Sequence, residues 1–345
     1  MIEEVLLDSP DGPATLKRIV LNTTRTGAAV ARDVYDFPLL LRLDSSSVDF
    51  SVPADGGGDL RFTRGTTNHL PYEVELWDET RGVAVVWVAL DTVFGDSVQS
   101  ITMSRGDLPQ APPGGEGVFS SARGFEAVWH LGEEALGDTG IAGAFIDATG
   151  RGYDGDDYVS ATGKEGIIGR GQEFDGTDDY ILIPQTLQPS GSMTISCWVR
   201  SAYVPNTENS GFRIVSTYAE NTGNPLGFQV RTYQNDLVFT AGDGTSKNDA
   251  QAWDVVSATW QHIVVVYEAG TGAVDFFLNG EKVPTALAPT RPEIVYGDAR
   301  TYLSHPGSWT VSGHLDEIRL SRRMRSEDWV RLCYENQKQR QTLVE

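Results

Sequence analysis

The sequence predicts an all-β protein made of two consecutive antiparallel β-sandwiches, and three observations predict it. Apolar and polar residues alternate along short runs rich in β-branched and aromatic side chains, the period of a half-buried strand. Those runs are separated by turn-forming residues, and 37 glycines and 16 prolines in 345 residues suit short strands joined by tight turns. A stretch from Asp107 to Gly117, poor in core formers and rich in Pro and Gly, divides the chain.

Before that stretch, strand candidates fall at 4–7, 15–21, 37–43, 59–63, 72–77, 83–90 and 97–103. Their spacing, with turn signals between them, reads as an antiparallel sandwich over 1–108. A linker follows at 109–119, and a second domain spans 120–338. Within it, 194–200 places Ile195, Cys197 and Val199 on one side and Ser196, Trp198 and Arg200 on the other. The run 226–233 sets Leu226, Phe228 and Val230 against Gln229, Arg231 and Tyr233 in the same way. Residues 272–278 and 281–283 flank Asn279-Gly280, the dipeptide that suits a type I′ hairpin turn. At 313–320 a strand closes a sheet, with Leu315 alternating with its neighbours. A short amphipathic helix follows at once near 326–337, with Ser326 as its N-cap.

The formal net charge is −21 and the isoelectric point near 4.6. That balance argues against nucleic acid and against an anionic membrane surface, because phosphate binding needs a basic footprint. Most of the acidic excess reads as a solvated surface. Cys197 lies mid-strand and Cys333 in the last helix, so a buried free thiol at each is expected and no disulfide framework exists. No apolar run approaches the roughly 20 residues that span a bilayer, and the start has no signal-peptide pattern. The polar tail at 335–341 suggests a piece of a longer protein.

Catalytic patterns are sparse. Retaining glycosidases need two carboxylates about 5 Å apart on one strand face. Glu73 and Glu75 share a face with Trp77 but lack a third acid, and Asp316 and Glu317 are adjacent and therefore predicted to point apart. The five histidines are scattered, and no nucleophile elbow, zinc spacing or phosphate loop occurs. The tripeptide Arg105-Gly106-Asp107 reads as the end of a strand rather than an adhesion motif.

The second domain resembles the laminin-G-like, concanavalin-A-like jelly rolls over roughly 120–335. The phrases that carry the resemblance occur in order: Ala127-Val128-Trp129-His130-Leu131, Asp147-Ala148-Thr149-Gly150, Phe174-Asp175-Gly176, Met193 to Val199, Trp260 to Tyr267, and the strand and helix at 312–330. The first domain, in Asp59 to Thr63, Leu70 to Trp77 and Val86-Trp87-Val88, resembles an uncharacterised bacterial β-domain family. That family precedes laminin-G-like domains in surface proteins and in proteins related to the ExbB/TolQ proton channels. Its usual closing Tyr-Gly-Asn is replaced here by Ser104-Arg105-Gly106-Asp107.

The resemblance implies a jelly roll in the second domain and a structural Ca²⁺, with Asp316 as first ligand and Asp147 and Asp175 behind it; turn-capping aspartates are the competing reading. The alternation proposes a ligand face of Trp198, Arg200, Gln229, Arg231 and Tyr233. On it, aromatic rings would stack on sugars while guanidinium forks pair with carboxylates or hydroxyls. Packing is the competing role for Trp198. The expected function is a non-catalytic, extracytoplasmic bacterial binding module, periplasmic or at the cell surface, lectin-like and carbohydrate-binding. The alternative is a periplasmic structural ectodomain of an ExbB/TolQ-type envelope protein with protein partners. A glycoside hydrolase is third.

Overall fold

The computed structural model describes residues 3–9, 12–51, 55–65, 68–105, 115–134, 140–202, 211–219, 225–253, 257–287, 290–307 and 309–345. It is an all-β chain with a short C-terminal helix. Contacts divide it into two compact units, Met1–Arg123 with Ser326–Glu345, and Gly124–Arg325. Of the expected linker, 109–114 lie outside the described residues, as do Gly106 and Asp107, and Gly115–Gly117 forms a 3₁₀ turn.

The first unit contains β1 (Glu3–Ser9), β2 (Gly12–Asn22), β3 (Val34–Asp44), β4 (Leu60–Arg64), β5 (Asn68–Leu70), β6 (Tyr72–Asp78), β7 (Val83–Val93) and β8 (Val98–Arg105). They form an antiparallel sheet ordered β1-β2-β8-β4-β5 and another ordered β3-β7-β6. Alternation buries Ile19 and Leu21 on β2 and Phe37, Leu39, Leu41 and Leu43 on β3. The rings of Phe62 on β4 and Tyr72 on β6 meet at 5.3 Å. The strand the sequence did not predict is β5, whose three residues are too few to show a period.

The helix, α1 (Glu327–Gln337), starts where Ser326 accepts a hydrogen bond from the Trp329 backbone N–H at 3.1 Å. The buried Asn336 completes the free edge of β3: its Oδ1 accepts from the Leu40 N–H at 2.7 Å and its Nδ2 donates to the Leu40 carbonyl at 3.0 Å. A side-chain amide thus stands in for a neighbouring strand, which keeps that edge from pairing with another chain. Beyond the helix the tail runs beside β2, with Asn22 N–H donating to the Leu343 carbonyl at 2.8 Å. Residues 326–345 therefore cluster with the first unit, although the sequence grouped them through 338 with the second.

The second unit holds β9 (Phe125–Trp129), β10 (Ile141–Phe145), β11 (Gly155–Tyr158), β12 (Gln172–Asp175), β13 (Tyr180–Ile183), β14 (Met193–Ser201), β15 (Arg213–Ser216) and β16 (Leu226–Tyr233). It continues with β17 (Asp236–Asp243), β18 (Lys247–Ala252), β19 (Gln261–Glu268), β20 (Ala273–Leu278), β21 (Glu281–Val283), β22 (Thr301–Ser304) and β23 (Ser312–Ser321). One sheet runs β10-β11-β13-β22-β15-β16-β17-β18; the other runs β12-β23-β14-β19-β20-β21, with β9 beside the far half of β23. Ile195, Cys197 and Val199 of one sheet share a buried core with Phe228, Val230, Leu237 and Phe239 of the other. The hairpin at Asn279-Gly280 forms as the dipeptide predicts, both residues at positive φ (51° and 82°).

One expectation is corrected. Residues 313–320 do not alternate strictly, because β23 carries a bulge: Trp198 pairs with Asp316 while Ser196 pairs with Arg319, and Glu317 sits at φ 54°. The extra residue lets both Leu315 and Ile318, three apart, face the core. Asp316 and Arg319 therefore share the other side of the sheet, where simple alternation places them on opposite sides.

Candidate functional site

Paired residues of an antiparallel ladder point to the same side, so the register of the eight-stranded sheet identifies its outward face. Asp156, Leu182, Tyr302, Ser216, Gln229, Thr240 and Asp249 form one row across β11, β13, β22, β15, β16, β17 and β18. The next row holds Tyr158, Tyr180 and Ser304 at one end and Arg213, Arg231, Val238 and Gln251 at the other. The intervening positions, including Ile181, Val215, Val230 and Phe239, face the core. On this face Tyr158, Tyr180, Tyr302, Arg231, Asp249 and Gln251 are partly exposed, whereas Arg213, Ser216, Gln229, Thr240 and Val238 are buried in it, so stacking on a ring and hydrogen-bonding its substituents fall to the former.

Two aromatic groups stand on it. Tyr158 and Tyr180 stack with centroids 4.7 Å apart and planes 8° apart; Tyr180 meets Tyr302 edge-on at 5.9 Å, and Tyr302 lies 5.5 Å from His305. Further along the sheet Tyr233 of β16 stacks with Trp309, in the loop before β23, at 6.1 Å, and the Arg231 guanidinium lies 5.9 Å from the first ring and 5.8 Å from the second. All of these rings are partly exposed. Trp309 is positioned from its backbone, whose carbonyl accepts from the Arg213 N–H at 2.7 Å. A Cβ on Gly211 would come within 2.6 Å of its ring, so that position must be glycine.

Arg231 is aligned by Asp249, whose Oδ2 accepts from Nη2 at 2.9 Å while its Oδ1 accepts from the Thr240 hydroxyl at 2.7 Å. Among the described residues no other hydrogen bond occupies this guanidinium, which leaves N–H groups for a ligand acceptor. Gln229 is buried in the row, donating from Nε2 to Thr240 at 3.3 Å, and its Oε1 has no hydrogen-bond partner among the described residues.

The five ligand residues read from the sequence do not form one face. Gln229, Arg231 and Tyr233 lie together on the eight-stranded sheet, whereas Trp198 and Arg200 belong to β14 of the other sheet and point away from the same core. Trp198 is only 2% exposed, its ring 5.1 Å from that of His262. It packs, which removes it as a stacking platform. Arg200 is engaged by both oxygens of Glu165, at 2.6 and 3.0 Å, and its guanidinium lies 5.4 Å from the Trp260 ring. Its Nη2 also donates to the His314 ring, where burial and then the Arg200 charge lower the imidazole pKa.

The three metal candidates are also dispersed. Asp316 is fully buried and its Oδ2 accepts from the N–H groups of Ile167 and Ile168 at 2.7 and 2.9 Å. Asp147 accepts from Val128 N–H and Thr149 N–H at 3.1 Å and from the Thr149 hydroxyl at 2.7 Å, stapling its turn to β9. Asp175 caps its own turn at the Thr177 N–H, 2.7 Å. Among the described residues it lies near Asp178 and Asp179, but neither Asp147 nor Asp316 falls in that group. Asp179 is itself spent on the N–H groups of Ser160 and Asp175. As a set, Asp316, Asp147 and Asp175 do not converge on one ion.

The carboxylates considered for hydrolysis have structural partners. Glu75 accepts from the Trp87 indole at 2.7 Å, beside a strand irregularity between Val74 and Leu76. Glu317 lies 2.6 Å from His130 Nδ1 and accepts from Arg319 Nε at 3.0 Å. Burial pushes its pKa up, but His130 and Arg319 outweigh this and hold it well below the usual carboxylate range. Cys197 is buried, which raises its thiol pKa far above ordinary. Trp309, Arg213 and the Tyr158–Tyr180–Tyr302 series escaped the sequence reading. The tyrosines fall on strands of four residues, and Trp309 lies in a loop without a period.

Residues 175–331 match the family model described as the concanavalin A-like lectin/glucanases superfamily, and residues 56–127 match a domain of unknown function, DUF2341. The second unit thus has the concanavalin-A-like, laminin-G-like jelly-roll fold, and within the first the match to the domain of unknown function is confined to 56–127. The chain is similar to the adhesion G-protein coupled receptor V1 of Danio rerio, 27% identical over 179 residues, 49% of this chain and 3% of that protein. Among solved structures it resembles the binding domain of Paraclostridial Mosquitocidal Protein 1, with a TM-score of 0.45 and 14% identity over 61% of this chain and 52% of that one. It also resembles the binding domain of botulinum neurotoxin DC in complex with SialylT, with a TM-score of 0.42 and 16% identity over 56% and 49%. The chain spans a small fraction of the receptor and about half of each toxin binding domain.

Proposed function

We propose that the second unit is a non-catalytic, extracytoplasmic module that binds carbohydrate on the outward face of its eight-stranded sheet. The observation that carries this reading is the Tyr233–Trp309 pair with Arg231 over both rings, continued by the tyrosine row. A sugar ring stacks its apolar C–H face on an aromatic plane, and a guanidinium held beside that plane donates to a hydroxyl or carboxylate. The match to a superfamily that includes lectins supports this class of ligand. Among the described residues no helix is long and apolar enough to cross a membrane.

The test is a glycan-array screen of the 345-residue chain, with Ca²⁺ and again with EDTA. The expected result is a glycan class whose binding falls about 10-fold or more in Arg231→Ala and Trp309→Ala, as for anchors at other interfaces. A structural calcium ion belongs to this proposal as its separable part: binding and melting that both survive EDTA remove the ion and leave the sugar site. A folded chain that binds no glycan turns the proposal toward protein partners.

A further inference from the structure

The first unit holds a cavity of about 250 Å³ that the carbohydrate reading does not use. Lys17 pairs with Met103 across β2 and β8, and Arg105 pairs with Leu60 across β8 and β4, so these side chains point to one side of the sheet. That side is the interior, for Ile19 and Leu21 follow Lys17 at two-residue steps and Ile101 and Met103 precede Arg105, all buried. Two cations thus stand at inward register positions. An inward charge on an edge strand guards against edge pairing. That explanation fails here, because β2 and β8 each have a partner strand on both sides.

The charges are fixed but not used up. Lys17 Nζ donates to the Ser46 carbonyl at 2.8 Å, one of its three N–H groups. Arg105 donates from Nε to Asp59 at 2.5 Å and from Nη1 to the Asp49 carbonyl at 2.6 Å, while its Nη2 is buried with no hydrogen-bond partner among the described residues. Among the described lining residues the one carboxylate, Asp49, accepts from the backbone and hydroxyl of Ser51 at 2.9 and 2.7 Å. Val48, Leu60 and Met103 supply a buried apolar floor. We propose that this cavity is a binding site for a small organic carboxylate with an apolar body. Its volume lies just below the range of about 300–1,000 Å³ for drug-sized ligands, which suits an acid carrying one aromatic or branched aliphatic group.

The experiment titrates the full chain, labelled at Leu, Val and Met methyls, with sodium benzoate, benzamide and benzylamine, followed by ¹³C methyl NMR. Benzoate is expected to shift the Val48, Leu60 and Met103 methyls and to saturate. Benzamide should bind about 10-fold more weakly and benzylamine not at all, because the charge-assisted bonds are lost or reversed. Lys17→Gln, which still donates to the Ser46 carbonyl, should weaken benzoate about 5-fold or more, while Lys17→Arg, which keeps the charge, should retain it. Unmoved methyls, equal binding of benzoate and benzamide, or a loss in Lys17→Arg as large as in Lys17→Gln would each overturn the proposal. None of these outcomes bears on sugar binding.

Discussion

Asp316 shows how a residue chosen for one chemistry can serve another. Its Oδ2 fixes the loop at 166–168 by accepting two backbone N–H groups, and a Cβ on Gly166 would sit 2.9 Å from that oxygen. Asp316→Ala should therefore destabilise the chain by about 2–4 kcal/mol in urea unfolding, since it strands the buried Ile168 N–H and the part-buried Ile167 N–H. A loss below about 0.5 kcal/mol would show that the loop does not need this carboxylate. Two other buried side chains contribute to acid stability. Burial, then the Arg319 charge, lower the His262 pKa from 6.5 to about 3, and Glu317 is held below its ordinary 4.5 by His130 and Arg319. In both, the unfolded chain binds the proton more readily, so stability is full above the unfolded value and lost as pH falls through the folded one. Melting temperature should decline below about pH 6.5 as His262 begins to count, and more steeply below about pH 4.5 as Glu317 joins. His262→Gln should flatten the upper part of that decline; an unchanged profile would contradict it.

At the scale of elements, the termini of α1 carry a sharper test than its interior. Asn336→Ala removes both bonds to Leu40 and leaves a buried N–H and carbonyl of β3 unpaired, a cost of about 2–4 kcal/mol. Ser326→Ala loses only an N-cap, about 1 kcal/mol. Urea midpoints that rank the two in the opposite order would mean that Asn336 is not completing the strand edge. The cap was legible because a serine before an acidic, amphipathic run is a local signal, as was the hairpin at Asn279-Gly280. The alternation of β14 and β16 was legible for the same reason, and it correctly sorted Cys197 and Phe228 inward. The sheet each strand joins is not local: β14 pairs with β19 and β23, and β16 with β15 and β17. That is why Trp198 and Tyr233, similar in pattern, face away from each other across one core. The bulge at Glu317 left a faint trace in the three-residue spacing of Leu315 and Ile318, which a strict period of two passes over.

For the molecule as a whole, a net charge of −21 opposes polyanions at long range, so any acidic ligand must be held by local cations such as Arg231 or Lys17 and Arg105. It also makes binding of an acidic sugar sensitive to salt, which screens the repulsion over about 10 Å at 0.1 M. The proposed ligand class rests on the band of rings and guanidinium on the outward face of the eight-stranded sheet. The most direct test is calorimetric titration of the best array glycan into the wild-type chain and into Arg231→Ala, Trp309→Ala and Trp198→Phe. Weakening of about 10-fold, or roughly 1.4 kcal/mol, in the first two with Trp198→Phe unchanged is the result expected. Unchanged affinity in Arg231→Ala and Trp309→Ala, or a loss confined to Trp198→Phe, would place the site elsewhere.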